Sequence, residues 1–293
     1  LNLSPYRHGK YIAYKGNSYH QSIDKWIKET NFLKYELSNL IIQKKSRKRN
    51  KLYCFPLDSI SKNVTMKVSE TSKDYKFWRR VNVFITSLYK DYNLNSYKNS
   101  INLHEAGVDT IVPVAYWTYQ FSTFKYKSYF LYENVDSELT VTELYDHIKS
   151  SNPPNKDALI DIISNKHIAI IKSIHSANIR HDDPHGGNIL TDIKANDLSD
   201  ISVSNISNAK FTLIDNDRCK KTRLTLKALK LFFDIKCLTK FNLKEIPHST
   251  LLSKYLGENF NSIWLKVFIF WKSGGFNIKK RIYYALNVKH LYQ

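Results

Sequence analysis

The sequence predicts an α+β fold in two parts, an antiparallel sheet followed by a mainly helical region. Three observations predict it. Between Ser38 and Tyr132, short β-prone runs alternate with polar turns. From Pro153 onward, apolar residues recur at three- and four-residue steps. Within the second region stand a loop rich in Asp, His, Gly and Asn and a short apolar run ending in acid, His181–Asn188 and Phe211–Asp215. The 293 residues are enough to bury a sizeable core.

Residues 1–37 are polar, basic and Tyr-rich, and are expected to form an N-terminal extension packed as an arm or short helix. Leu40-Ile41-Ile42, Leu52-Tyr53-Cys54-Phe55 and Val64-Thr65-Met66-Lys67-Val68 read as strands. Lys67 lies between apolar neighbours, and a charge inside a buried strand needs a partner. Residues 74–106 read as helix, broken near Asn93-Leu94-Asn95. Thr110–Tyr116 and Ser128–Tyr132 are further strands. Pro153-Pro154-Asn155 offers a stop and a helix start, and Ile160, Ile163, Ile170, Ile171 and Ile174 mark a buried helical face beyond it. Thr191–Lys210, rich in Asp, Ser and Asn, is expected to be an inserted loop between two short strands. Helical segments are expected near 224–240, 248–260 and 261–272, then a basic tail.

The loop carries the chemistry. His181-Asp182-Asp183-Pro184-His185-Gly186-Gly187-Asn188 has the H-x-D-x-x-x-x-N spacing of a kinase catalytic loop. Asp183 is then the candidate base for the attacking hydroxyl, with Asn188 and Asp215 as Mg2+ ligands against the phosphates of ATP. Amide and carboxylate oxygens are hard donors, and Mg2+ takes few protein ligands. On the same reading Lys67, on the third strand, faces the nucleotide phosphates. Glu133 and Val135 fall where a hinge between two lobes should lie. There the carbonyl of Glu133 and the amide and carbonyl of Val135 would meet the adenine edge. His181 is expected to pack under the loop and bond its backbone.

Three segments are similar to the lipopolysaccharide core kinases, the heptose and Kdo kinases. Asp183-Pro184-His185-x-Gly187-Asn188 resembles their D-P-H-x-G-N loop. Leu213-Ile214-Asp215-x-Asp217-Arg218 resembles an L-I-D-x-D-R element, and Leu103-His104-Glu105-Ala106-Gly107-Val108-Asp109-Thr110 an L-H-E-x-G-V-D-T turn. The resemblance covers roughly residues 38–260. It implies a bilobal, protein-kinase-like fold, with an N-lobe over 38–135 and a C-lobe over 136–293 that carries the insertion near 191–210. It implies ATP-dependent phosphorylation of a heptose or Kdo hydroxyl of the lipopolysaccharide inner core, by an enzyme that acts as a monomer. It also implies that Asp234 steadies the catalytic loop's backbone. The sequence departs from the kinase pattern at named places. Lys44–Lys51 stands where a Gly-rich phosphate loop is usual, and Asn216-Asp217 where Phe-Gly is usual. The helix after Lys67 has no acid in Leu94–Lys98, leaving Asp91 and Glu105 as candidates to pair that lysine. A kinase-like enzyme for another glycan or small molecule, or a degenerate binding module, remain the alternatives.

Composition bears on partners. The net charge is +19, from 45 basic and 26 acidic residues. Such an excess favours an anionic partner: nucleotide phosphates, anionic lipid, an acidic glycan or nucleic acid. Together with the resemblance, the expected partner is a glycolipid core, with contact at the inner membrane face and no nucleic acid. The run Lys44–Lys51 is either a solvated hairpin tip or a contact to polyphosphate or headgroups. An aminoglycoside kinase would line its cleft with acid, which is scarce after Asp217, and the A-P-E element of protein kinases does not follow Arg218. No stretch approaches the ~18 apolar residues of a membrane span, and no signal-peptide pattern opens the chain. Three cysteines without metal-ligand spacing fit a reducing compartment. The expected location is the cytoplasm.

Overall fold

Alternation at a period of two organises the first sheet. In the computed structural model, which describes residues 4–6, 9–13, 50–57, 61–70, 91–122, 125–137, 139–222, 227–240 and 246–276, six antiparallel strands run in the order β1-β2-β5-β6-β4-β3. They are β1 (Ser4–Tyr6), β2 (Gly9–Ala13), β3 (Asn50–Leu57), β4 (Lys62–Glu70), β5 (Pro113–Ser122) and β6 (Lys125–Glu133). On one face Tyr53, Phe55, Val64, Met66, Val68, Tyr129 and Leu131 are buried in a single apolar cluster, where Trp117 stacks on Tyr129 with ring centroids 5.0 Å apart. Register then fixes the other face. Lys67 lies opposite Leu52 and Phe130, and Thr65 opposite Cys54 and Tyr132. The strands expected at Leu52–Phe55, Val64–Val68 and Ser128–Tyr132 are all present.

Helix α1 (Tyr92–Glu105) covers the Lys67 face. Asp91 caps it, accepting from the amides of Asn93 and Leu94, so the break expected at Asn93–Asn95 is instead the helix's first turn. Its buried positions, Asn93, Ser96, Tyr97, Ser100 and Leu103, keep helical spacing but are mostly polar. Tyr97 packs on Tyr116 and edge-on to Phe130. The helix ends in a Schellman turn. Gly107, at φ +74°, donates to the His104 carbonyl, and Val108 donates to the Leu103 carbonyl.

The chain divides into two compact units, Leu1–Asp136 with Asp215–Cys219, and Ser137–Ile214 with Lys220–Gln293. The second is mainly helical. Strand β7 (Leu139–Thr140) leads into α2 (Val141–Ser151), which opens on a capping box of Thr140 and Glu143 and buries Val141, Leu144, Tyr145 and Ile148. Helix α3 (Lys156–Ser176) buries the expected isoleucine face. It delivers the chain through β8 (Ile179–His181) to the loop, then to β9 (Ile189–Thr191), which pairs with β7 and with β10 (Phe211–Leu213).

The insertion expected near 191–210 lies between the two short strands β9 and β10, and it carries helical turns of its own. These are a 3-10 helix (Ala195–Asp200) and α4 (Val203–Asn208). Ser202 caps α4, Ile193 and Ile206 are buried, and Lys166 donates to the Ala209 carbonyl at 2.8 Å. Two apolar anchors and a cap therefore suffice to fold a polar stretch back onto α3. Helices α5 (Lys227–Leu238), α6 (His248–Leu256) and α7 (Ser262–Lys272) fall where they were expected. The strand at 40–42, the basic positions 44–49, the start of the helix at 74–90 and the tail from 277 lie outside the described residues.

Candidate functional site

The loop of the second unit is held by side chains bonded to its backbone. His181 is buried, and its Nδ1 accepts from the Asp183 amide at 3.1 Å, the role expected for it. Pro184's carbonyl is bonded at 2.8 Å to Nε2 of His167, a ring that burial keeps neutral by lowering its pKa to about 4. His185 Nδ1 accepts from the Gly187 amide at 3.1 Å, which assigns the ring proton to Nε2, 4.0 Å from Asp183 Oδ2. Gly186 permits close approach of α2: a Cβ there would lie 2.9 Å from Thr142 Oγ1 and 3.2 Å from its amide nitrogen. A 3-10 turn (Gly186–Asn188) then sets Asn188, whose carbonyl accepts from the Ile214 amide at 2.8 Å.

Two adjacent acids have different surroundings. Burial would raise the carboxyl of Asp182, but Lys220 at 2.7 Å and Arg180 at 2.9 Å outweigh it and hold the group below the ordinary Asp value. Asp182 is thus spent on structure. The side chain of Asp183 is 22% exposed, and its carbonyl accepts from Asn188 Nδ2 at 2.9 Å. That bond turns the amide oxygen of Asn188 away from the carbonyl it would otherwise repel. An amide oxygen so oriented suits Mg2+, which favours oxygen donors and keeps several of its waters.

The first unit holds a charged pair of its own. Lys67 Nζ lies 2.6 Å from Asp215 Oδ1, with the lysine side chain 11% exposed and the aspartate 43%. The partner that a strand-borne charge demands is therefore Asp215, not an acid on α1. Asp91 is occupied by the helix cap and by the Tyr116 hydroxyl at 2.6 Å, and Glu105 is exposed at the far end of the helix. Asp215 has a left-handed backbone, φ 59° and ψ 50°. Beside the pair, burial first and then Asp215 and Cys54 drive the Tyr132 phenol well above its usual range.

The segment expected to read adenine is pinned to the same sheet. Glu133 donates its amide to the Val112 carbonyl and accepts Lys62 at 2.8 Å on its carboxylate. Asn134 donates its amide to the Asn63 carbonyl and accepts Thr65 Oγ1 at 2.7 Å. Val135 follows, half-buried. Asn99, Ser100, Thr110 and Asn216, none of which the sequence singled out for a role, bond to one another around Asp215. Thr110 lies in the quoted Leu103–Thr110 segment, which was the available signal.

Asp234 lies in the second unit, 3.8 Å from His175 Nε2. Burial pushes its carboxyl up to about 6 against the pull of Lys230 and Arg180. The ionised form is therefore penalised in the folded chain, fully above pH 6 and not at all below the unfolded value of about 4. Asp234→Asn should raise the melting temperature at neutral pH, and the gain should vanish as pH falls from 6 to about 4, which calorimetry across that range measures. If Asp234 steadies the loop, turnover falls in the same variant.

Comparison with known proteins adds the following. The family model described as the lipopolysaccharide kinase (Kdo/WaaP) family matches residues 96–244, just over half of the chain. Among solved structures, one described as WaaP in complex with acyl carrier protein is 13% identical, covers 97% of this chain and 99% of its own, and superposes with a TM-score of 0.49. A second, the BubR1 kinase domain, is 14% identical over 71% of this chain and 61% of its own, with a TM-score of 0.37. No curated protein matches.

Proposed function

We propose that this chain, which belongs to the lipopolysaccharide kinase (Kdo/WaaP) family, transfers the γ-phosphoryl group of ATP to a heptose or Kdo hydroxyl of the inner core. Asp183 accepts the proton of that hydroxyl as its oxygen bonds to phosphorus, and ADP leaves. Lys67 offsets the charge of the nucleotide phosphates. Asn188 and Asp215 would hold Mg2+, and Glu133 and Val135 would meet the adenine through their backbone. Bound Mg2+ would neutralise negative charge gathering on the phosphate oxygens. The observation that carries the reading is the bond from Asn188 to the Asp183 carbonyl, which ties a candidate base and a candidate metal ligand into one loop.

The chain would work as a monomer at the inner face of the cytoplasmic membrane. A charge of +19 supports attraction to an anionic glycolipid and to anionic headgroups. No helix among the described residues is long and apolar enough to cross a membrane. The acceptor is tested on two defined glycolipids, one ending in Kdo and one carrying heptose as well, with MgATP and mass spectrometry. Phosphate on either sugar is the expected result and assigns the acceptor. Phosphate on neither, with transfer to an unrelated glycan, would overturn the assignment.

A further inference from the structure

Helix α1 holds both members of the Lys67–Asp215 pair, and it does so with amides and hydroxyls where a carboxylate was expected. In its first turn Asn93 is fully buried, and Nδ2 donates to the Ser128 carbonyl at 2.8 Å and the Lys67 carbonyl at 3.2 Å. That ties the strand bearing Lys67 to the helix. Two turns on, Asn99 Nδ2 donates to the carbonyls of Asn216 at 2.7 Å and Cys219 at 3.0 Å, bracketing the 3-10 turn (Asn216–Arg218) that follows Asp215.

Asn216 is the centre of this arrangement. It is 0% exposed, and its Nδ2 donates to Ser100 Oγ at 2.9 Å and Thr110 Oγ1 at 2.8 Å. Asp215 has a left-handed backbone, which Asp tolerates better than most residues but which is still the less favoured conformation. The bonds of the neighbouring buried amide favour it here. Returning Asp215 to a negative φ would swing the chain that follows it, pull Nδ2 from two hydroxyls and leave its hydrogens buried and unbonded. Thr110 is in turn fixed by the Schellman turn at Gly107, which stops α1 and sends the chain back past it.

We propose that Asn216, anchored by Thr110 and Ser100, is a positioning residue that sets the Asp215 carboxylate against Lys67. The inference rests on the reading of Asp215 as a ligand of the metal-bound phosphates for its functional meaning, and on geometry alone for the alignment itself. Asn216 acts through Asp215 and touches no reacting atom.

Thr110→Val keeps the shape of the side chain and removes the acceptor, and Thr110→Ser keeps the acceptor. Each is compared with wild type by the rate at which a water-soluble activated ester acylates the Lys67 amine, read by mass spectrometry without nucleotide. Each is also compared by MgADP affinity in calorimetry and by melting temperature. Thr110→Val should let Lys67 react several-fold faster and should weaken MgADP roughly tenfold, while Thr110→Ser stays near wild type in both. Ser100→Ala, which removes the other acceptor, supplies the same readings if Thr110→Val does not fold. Unchanged Lys67 reactivity in Thr110→Val overturns the proposal. So does a loss that tracks the melting temperature and that Thr110→Ser fails to rescue. A wild-type chain that binds no MgADP would count against the kinase reading, and the Lys67 comparison would still decide the alignment.

Discussion

Asp183→Asn should abolish measurable phosphoryl transfer, lowering kcat by roughly 10²–10⁴-fold, the usual worth of a general base. The substitution is nearly isosteric. The loop is tied at this residue through backbone atoms, the amide to His181 Nδ1 and the carbonyl to Asn188 Nδ2, and both bonds survive it. Melting temperature should therefore stay within about 2 °C, roughly the shift that a loss of 1 kcal/mol gives in a chain of this size. MgATP affinity should be unchanged, since the base does not hold nucleotide. Single-turnover kinetics with calorimetry separates these effects. Turnover near wild type would remove Asp183 from the chemistry.

Breaking the Lys67–Asp215 pair should be asymmetric. Lys67→Met should cut turnover by orders of magnitude with little loss of stability, because the carboxylate it abandons is 43% exposed and water can solvate it. Asp215→Ala abandons an ammonium that is only 11% exposed and puts alanine into a left-handed backbone. An unpaired, mostly buried charge and that backbone should together cost on the order of 1–3 kcal/mol. Both variants should bind MgATP more weakly, and Asp215→Ala should also respond less to added Mg2+. Denaturant melts and nucleotide titrations of the two variants, side by side, give the comparison. Equal stability of the two would mean that Lys67 finds another acid.

What could be read from the sequence followed from chemistry that is local along the chain. Alternation at Leu52–Phe55 and Val64–Val68 marked strands because one face is buried, and it left Lys67 conspicuous on the other. The isoleucines of 160–174 marked α3 because a buried helical face repeats at three and four residues. The spacing from His181 to Asn188 is itself the geometry of one turn, so the loop was legible without any tertiary contact. Helix α1 was legible in part only. Its buried face mixes Asn93, Ser96 and Ser100 with Tyr97 and Leu103, and hydrophobic periodicity registers weakly a face that packs largely through hydrogen bonds. The same physics hid Asn216, an amide that reads as solvent-facing beside an acid yet is fully enclosed. The partner of Lys67, for which Asp91 and Glu105 were the candidates, was hidden for a related reason. Asp215 lies 148 residues away in sequence, and the left-handed backbone from which its carboxylate meets the lysine has no sequence pattern to announce it. In 192–210 a polar composition outweighed Ser202, Ile193 and Ile206, which are enough to cap and anchor two short helical turns.

The central claim is that this chain phosphorylates lipopolysaccharide core, and one measurement addresses it most directly. Purified protein is incubated with core glycolipid and ATP labelled at the γ-phosphate, with Mg2+ present or chelated, and the glycolipid is analysed for label. The account predicts label on the glycolipid only when Mg2+ is present, and none with the Asp183→Asn variant. Wild-type protein that binds MgATP but leaves the glycolipid unlabelled, or label that persists in Asp183→Asn, would contradict it.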